Sequence, residues 1–277
     1  MSTSSNSTNS FSIGLSRSLT NQAPDLGPSI AFTVLFGISS MLYAYRSYKH
    51  RRLAYYYLFG FTILRTATYI SRAVWSQDKS SSTDAIVGGV IAAGGFFLAA
   101  QSLYVLFTVW VAKLFGGLDN LPRGVQMRVR LLKILLPLSS IIGIVGAVKQ
   151  FSATSIDDYN FGTAMRKASI LGFAILLVLL MFSTILYTVL KGRGHNNVTV
   201  VLILCIGSLL LMVELIYRII SLWSDSTADV NTKKWVFYVF LSIPEFLFCA
   251  FMGIANLEKV FYTDASANDI DSEKGGN

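Results

Sequence analysis

Three ionisable residues, Arg65, Glu214 and Glu245, interrupt long apolar stretches of this chain near their centres. A charge at the centre of a membrane-spanning helix costs roughly 2.5–3.5 kcal/mol, so such residues normally face the interior of a helix bundle and mark a site. Each lies about ten residues from a tryptophan at one boundary of its apolar stretch. A helical rise of about 1.5 Å per residue then puts all three roughly 15 Å below one membrane surface. We therefore expect them to meet inside the bundle, with Arg65 and Glu214 as a direct buried pair.

Further polar residues continue this group toward the same surface at helical spacing. The resulting candidate binding residues are Arg65, Tyr69, Arg72, Glu214, Tyr217, Arg218, Tyr238 and Glu245. They predict a polar stripe that opens toward the outer leaflet and holds the polar head of an amphipathic ligand. In this interpretation Arg72, Arg218 and Tyr238 line the mouth of the stripe. The alternative is a structural lock, in which the charges pair between helices and serve assembly alone.

The charge balance of this group depends on a further contact. One arginine and two carboxylates leave a surplus negative charge, unless Arg218 joins them or a carboxylate holds a proton. Burial raises the pKa of a carboxyl group and a nearby cation lowers it, and the sequence leaves both outcomes open.

Several chemistries lack the residues they need. The chain has two histidines, His50 and His195, both in predicted loops, so it supplies neither a three-histidine zinc site nor a pair of intramembrane haem ligands. The seventh apolar stretch contains no lysine for a retinal Schiff base. Intramembrane serines and threonines have no histidine to activate them, and no nucleotide-binding motif is present. We expect a protein that is not an enzyme and that has no metal or cofactor.

The composition predicts an integral membrane protein. Of 277 residues 53% are hydrophobic and 14% are charged, and the mean hydropathy is +0.56, which is too apolar for a soluble core of this size. Windows of about 20 apolar residues give seven predicted spans: 28–48, 53–75, 86–114, 131–151, 168–190, 198–222 and 235–257. The expected fold is all-α, a polytopic bundle of seven transmembrane helices over residues 28–260. The two cysteines lie inside spans and predict no disulfide.

The basic residues sort by loop. The first, third and fifth loops carry the excess: Arg46, Lys49, Arg51, Arg52, Arg123, Arg128, Arg130, Lys191 and Arg193. By the positive-inside rule these loops are cytoplasmic. The N-terminus is then outside and the C-terminus inside. Arg166 and Lys167 belong to a mixed-charge outer loop in this topology.

The basic residues of these loops also account for the net charge of +8. We therefore do not expect a nucleic-acid partner. The basic loops would attract anionic lipid of the inner leaflet, and they are also a candidate surface for a protein partner. Residues 1–27 predict a disordered extracellular tail, and residues 261–277 an acidic, disordered cytoplasmic tail.

Small residues and one proline shape the predicted helices. Gly143, Gly146 and Ala147 in the fourth span predict close approach of a neighbouring helix. Pro244, beside Glu245, predicts a kink or hinge in the seventh helix, because proline frees a backbone carbonyl.

Four helical segments carry motifs that are similar to those of the fungal RTA-like family of seven-helix lipid-translocating exporters. The segment Arg65–Arg72 resembles the family's second-helix pattern of an acid, then Gly-Tyr, then Arg, and Phe97–Tyr104 resembles its third-helix pattern Ala-Ala-Ser-x-Tyr. The segment Glu214–Arg218 resembles the family's sixth-helix pattern Arg-Ser-x-Phe-Arg, and Tyr238–Pro244 resembles its seventh-helix pattern Tyr-x-Phe-Asp-x-x-Pro. The resemblance covers about residues 30–260. It implies a role in resistance to aminocholesterol compounds or sphingoid bases.

The chain departs from the family's pattern at its charges. Arg65 stands where the family has an acid, and Glu214 stands where it has an arginine, so the two charges are exchanged. The family's aspartate in the seventh helix falls on Leu241, with Glu245 one turn deeper as its substitute.

Three functions follow as alternatives. The first is a protein of the plasma membrane or an endomembrane that handles an amphipathic lipid or sterol-like molecule, as exporter, flippase or regulator of lipid asymmetry. The second is a seven-helix receptor for a small amphipathic ligand, although the Asp-Arg-Tyr and Asn-Pro-x-x-Tyr motifs of the commonest receptor class are absent. The third is a structural scaffold.

Overall fold

The computed structural model describes residues 26–77, 82–117, 119–153, 155–191, 195–224 and 233–262, and all regular structure in these ranges is helical. The helices are α1 (Leu26–His50), α2 (Leu53–Gln77), α3 (Ser82–Phe115), α4 (Arg123–Phe151), α5 (Ile156–Lys191), α6 (His195–Trp223), α7 (Lys234–Phe237) and α8 (Ile243–Ile254). A π-helical turn, π1 (Tyr238–Ser242), joins α7 to α8, and a second, π2 (Glu258–Tyr262), follows α8.

Six helices of the described ranges are long and apolar enough to cross a membrane. These spans are Leu26–His50, Gly94–Phe115, Arg123–Gln150, Ile156–Leu190, Val198–Trp223 and Trp235–Ile254. The chain is thus a polytopic helical membrane protein. The predicted second span forms a helix of full length, α2, but is not among the six. Arg65, Arg72 and the threonines of α2 lower its apolar content.

Several helices extend beyond the apolar stretches that predicted them. The predicted fourth span began at residue 131, whereas α4 begins at Arg123. The predicted fifth span began at residue 168, whereas α5 begins at Ile156 and includes Arg166. The apolar windows mark the part of a helix that lies in lipid, but the helix continues into the polar layer, where its ends are solvated. The basic residues Arg123, Arg128 and Arg130 therefore lie in helical turns and not in a loop.

The predicted tails fall almost wholly outside the described residues. Their inner boundaries shift, because α1 already begins at Leu26. At the other end, Phe261 and Tyr262 are buried in π2.

The helices pack in chain order and close into a ring. Each helix from α1 to α5 contacts the next one along the chain, and α8 contacts both α6 and α1. Helix α3 also contacts α5 and α6 across the ring and has the largest buried share of the six candidate spans. Large apolar side chains such as Met41, Ile141, Ile175 and Phe182 are exposed on the outside, as expected of a surface that faces lipid.

Glycines bring α4 and α5 into backbone contact. A Cβ atom on Gly146 would lie 2.9 Å from the carbonyl oxygen of Gly162 and 2.9 Å from the backbone nitrogen of Arg166. On Gly172 it would lie 2.6 Å from Ser139 Oγ. The predicted close approach at Gly146 is confirmed, since small residues allow helix backbones to touch where lipid supplies no hydrophobic driving force.

Pro244 sets the path of the last span. A proline cannot donate a hydrogen bond to the residue four positions earlier, and here the helix widens instead, with the Ile243 backbone N–H donating to the Tyr238 carbonyl oxygen. The predicted kink is therefore a π-helical turn. Such turns are frequent at functional sites, and this one ends three residues before the buried Glu245.

We predict that Gly162→Ala destabilises the protein, because the added methyl group would meet the backbone of Gln150. Overpacking of this kind costs about 1–3 kcal/mol, which thermal unfolding in detergent would detect. The control is Gly37→Ala in α1, where no atom lies within 4 Å of the new Cβ and alanine favours the helix by about 0.5–1 kcal/mol. Equal stability of the two variants would contradict the close contact.

The orientation of the bundle is tested by cysteine labelling in a background without Cys205 and Cys249. We predict that Ser155→Cys reacts with a membrane-impermeant reagent on intact cells, and that Tyr48→Cys reacts only after permeabilisation. Both positions are exposed and therefore accessible to the reagent. The neighbouring Ser47 is only 4% exposed and is unsuitable as a labelling position. Labelling of Tyr48→Cys on intact cells would reverse the orientation.

Candidate functional site

The three midplane charges meet inside the bundle. Arg65, Glu214 and Glu245 each have 0% exposure. Arg65 Nη2 lies 3.4 Å from Glu214 Oε1 and makes a closer ion pair with Glu245 Oε1. The predicted pair of Arg65 and Glu214 is therefore confirmed as a contact, and Glu245 is the nearer partner of the arginine.

Arg218 completes this cluster, which we call the charge network (Arg65, Glu214, Arg218 and Glu245). Its Nε and Nη2 atoms lie 2.8 and 2.7 Å from Glu214 Oε1, and Nη2 lies 3.7 Å from Glu245 Oε1. Two guanidinium groups thus face two carboxylates, and their formal charges cancel. Of the two alternatives for the surplus negative charge, the structure shows the one in which Arg218 joins the network, one helical turn from Glu214. Arg218 therefore does more than line the mouth of the predicted stripe.

Each carboxylate of the charge network has an oxygen atom that can still accept a hydrogen bond. Glu214 Oε2 and Glu245 Oε2 are buried and have no hydrogen-bond partner among the described residues. A carboxylate can accept about four hydrogen bonds, so these oxygens could take up a proton or a donor group of a ligand. The charge network is neutral in total but is not saturated with hydrogen bonds.

Gly95 of α3 makes room for Arg65. A Cβ atom there would lie 3.1 Å from Arg65 Cζ and 3.3 Å from its Nε. On another side the guanidinium lies 5.3 Å from the centroid of the Phe61 ring, a separation at which the face of an aromatic ring attracts a cation. The absence of a side chain on α3 thus allows α2 to direct an arginine toward α6 and α8.

Aromatic rings cover the charge network at the predicted outer end. Phe32 of α1 stacks on Tyr69 at 5.2 Å and on Tyr238 at 5.9 Å, and Phe36 stacks on Tyr69 at 5.6 Å. Ser29 Oγ lies 3.5 Å from the Tyr238 hydroxyl. The predicted stripe is therefore not an open cleft, because α1 packs its aromatic side chains over it.

The remaining predicted residues border this aromatic cover. The Arg72 guanidinium lies 4.0 Å from the centroid of the Phe237 ring, and Tyr217 meets the same ring edge-on at 6.4 Å. Tyr217 is buried and Arg72 is half-buried. Neither residue contacts the carboxylates of the charge network in the contacts that the structure describes.

A small cavity of about 40 Å³ lies beside the charge network, and we call it the arginine cavity. Its lining combines four polar side chains with apolar ones: Phe96, Ser140, Gly143, Arg166, Ser169, Ile170, Phe173, Leu215 and Arg218. Arg218 therefore belongs both to the network and to this cavity. No carboxylate is among the lining residues that the structure describes, so the cavity faces two guanidinium groups and two hydroxyl groups.

Arg166 was missed as a site residue because it was assigned to an outer loop. The extension of α5 places it inside the bundle, where its guanidinium contacts the Gln150 side-chain oxygen. The available signal was the absence of a proline between Ile156 and the apolar stretch of α5.

The described residues offer no group of three or more His, Cys, Asp or Glu side chains that could hold a metal ion. Comparisons of the chain with protein-family models, with curated proteins and with solved structures find no match.

We predict strong coupling between Arg65 and Glu245. Arg65→Met or Glu245→Leu alone leaves a charge of the network uncompensated, which typically costs about 3–5 kcal/mol. The double variant keeps the neutral pair of Arg218 and Glu214 and should recover most of the loss. The measurement is the free energy of unfolding in mixed micelles.

Arg72→Gln is the matched control, since it removes a half-buried arginine of α2 outside the network and should cost less than either single variant. Additive losses in the double variant would show that Arg65 and Glu245 act independently.

Proposed function

We propose that this protein spans the membrane seven times and handles an amphipathic lipid whose polar head carries a phosphate or carboxylate group. Helix α2 is the seventh crossing, since it packs between α1 and α3 and directs Arg65 into the bundle interior. The role is that of an exporter, flippase or regulator of lipid asymmetry, without enzymatic chemistry.

The observation that carries this proposal is the pairing of Arg166 and Arg218 in one cavity within the apolar part of the bundle. Two guanidinium groups beside each other repel, and an anion between them removes the repulsion. Arginine binds carboxylate and phosphate oxygens with two parallel hydrogen bonds. Ser140 and Ser169 line the same cavity and add hydroxyl groups.

The size of the arginine cavity limits what enters it. A volume of about 40 Å³ is about three times the roughly 10–15 Å³ that a cavity needs to hold one water molecule. The oxygens of one phosphate or carboxylate group fit, and the hydrocarbon chains would stay in the bilayer. Exposed apolar side chains of α4 and α5, such as Ile141, Val145, Leu171 and Ile175, offer a surface for those chains.

Arg218 links ligand binding to the charge network. A headgroup that draws Arg218 toward Arg166 would weaken its contacts of 2.7–2.8 Å with Glu214. The two buried carboxylates would then share one guanidinium, which favours uptake of a proton or a shift of α6 against α8. Binding in the cavity and rearrangement of the bundle core are thereby coupled, as translocation requires.

The family motifs support the same class of function. The two residues with exchanged charges, Arg65 and Glu214, lie in one ion-pair network. An exchange between contacting residues preserves the electrostatic attraction between them. The resemblance to lipid-translocating exporters therefore covers the residues on which the core depends, and function transferred in this way is an analogy.

The test measures transbilayer movement of labelled lipids in proteoliposomes. We predict that the purified protein moves fluorescent lysophosphatidic acid, and that Arg166→Gln lowers the rate by about tenfold, since a charge-assisted hydrogen bond is worth about 1.5–3 kcal/mol. Labelled sphingosine, which carries an amine instead of a phosphate, tests the substrate that the family resemblance implies.

Lys167→Gln is the matched control, because it removes a neighbouring charge that lies over Trp223 at 5.0 Å and does not line the cavity. Arg166→Lys keeps the charge without the paired hydrogen bonds, and melting curves of both Arg166 variants verify that a loss of transport is not a loss of folding. Saturable binding without movement would support the receptor alternative. Absence of both binding and movement would leave the structural lock as the function of the charges.

A further inference from the structure

A second, larger pocket lies at the predicted cytoplasmic end of the bundle, where α1 ends, α2 begins and the chain continues past α8. Its volume is about 510 Å³, within the range of about 300–1,000 Å³ that small-molecule sites occupy. We call it the basic pocket. Its lining residues are Tyr45, Arg46, Lys49, His50, Tyr55, Ile254, Asn256, Glu258 and Lys259.

Positive charge dominates this lining. Arg46, Lys49 and Lys259 contribute three cations, and Glu258 is the one acid among the described lining residues. Glu258 already has basic neighbours, since Arg52 Nη2 lies 3.1 Å and His50 Nδ1 lies 3.8 Å from its oxygens. The three cations therefore outweigh the acid, and the pocket attracts an anion.

The walls of the pocket are fixed by packing around Arg52. Its guanidinium donates a hydrogen bond to Glu258 Oε1 and lies 4.5 Å from the centroid of the Tyr262 ring. Burial raises the pKa of Tyr262 to about 12, so this ring stays neutral at physiological pH. These contacts hold π2 against the connection between α1 and α2, and the pocket is thus part of the folded structure.

The rim of the pocket is apolar and exposed. Tyr45 is 61% exposed and Ile254 86% exposed, and Tyr48, three residues after Tyr45 in α1, is 80% exposed. All three lie near helix ends, at the level where a bilayer changes from hydrocarbon to headgroups. A soluble anion would gain nothing from these side chains, whereas a lipid would place its headgroup among the cations and its glycerol and chains against the rim.

We infer that the basic pocket binds an anionic phospholipid of the cytoplasmic leaflet whose headgroup is a polyol carrying phosphate monoesters. Arg46 can hold a phosphate with paired hydrogen bonds, while Lys49 and Lys259 act as mobile point charges. Asn256 and the tyrosines of the lining offer partners for polyol hydroxyl groups. The volume exceeds what one inorganic phosphate would fill.

This inference is independent of the proposed transport function. The basic pocket uses none of the residues of the charge network or of the arginine cavity. It lies at the C-terminal end of α1, whereas Ser29, beside Tyr238, is at the N-terminal end of that helix.

The experiment measures binding of a short-chain phosphatidylinositol bisphosphate to the full-length protein in phosphatidylcholine nanodiscs. We expect the double variant Lys49→Gln/Lys259→Gln to bind at least about tenfold more weakly, because each basic residue near anionic lipid contributes roughly fivefold. Both lysines are exposed, and melting curves without ligand verify that folding is unchanged. Lys49→Arg/Lys259→Arg should retain binding.

The matched control, Arg123→Gln/Arg130→Gln, removes the same charge from exposed positions of α4 at the same predicted end. If both double variants bound the lipid equally weakly, the binding would be a general attraction of basic surfaces for anionic lipid and not a property of the basic pocket. Free inositol trisphosphate binding as tightly as the lipid would identify a soluble ligand and overturn the assignment to a phospholipid. No measurable binding of either probe would overturn the pocket itself.

Discussion

The contact on which the rest of this structure depends is the buried ion pair between Arg65 and the carboxylates of Glu214 and Glu245. Removing such charges from water carries a penalty of several kcal/mol for each ion, which only close partners can offset. Arg218 is therefore a necessary member, because it balances the second acid at 2.7 Å from Glu214. The network joins α2, α6 and α8, and a change at any of its members reaches helices that are far apart in sequence.

Neighbouring features are arranged so that this network can form. Gly95 leaves the space that the Arg65 guanidinium occupies, with Cζ 3.1 Å from where a side chain would begin. Pro244 interrupts the hydrogen bonds of the last span, and π1 carries the chain past the interruption to Glu245. Phe32 closes the outer side by stacking on Tyr69 and Tyr238. A small residue, a helix irregularity and an aromatic cover thus serve a single electrostatic requirement.

The centre of this arrangement is predictable from the sequence, whereas its surroundings are not. Depth in a spanning helix follows from residue count, so the sequence is enough to place Arg65, Glu214 and Glu245 at one level. The aromatic cover is not predictable in this way, because Phe32 resembles any apolar residue of a lipid-facing helix and its partners are set by tertiary packing. Arg166 was missed as a site residue because hydropathy shows which part of a helix lies in lipid and does not show where the helix begins. The extent of α2 was predicted correctly, although its crossing of the membrane remains a proposal.

The arginine cavity and the basic pocket also respond differently to their surroundings. The cavity lies within the bundle next to a neutral network whose Arg65, Glu214 and Glu245 are fully buried, and salt screens interactions between buried charges little. The lysines of the basic pocket are exposed, so their attraction for anions weakens over a Debye length of about 8 Å at physiological ionic strength. Binding at the pocket should therefore depend on salt and on the anionic lipid content of the facing leaflet. The cavity depends instead on whether Arg218 can leave Glu214, which is a property of the fold.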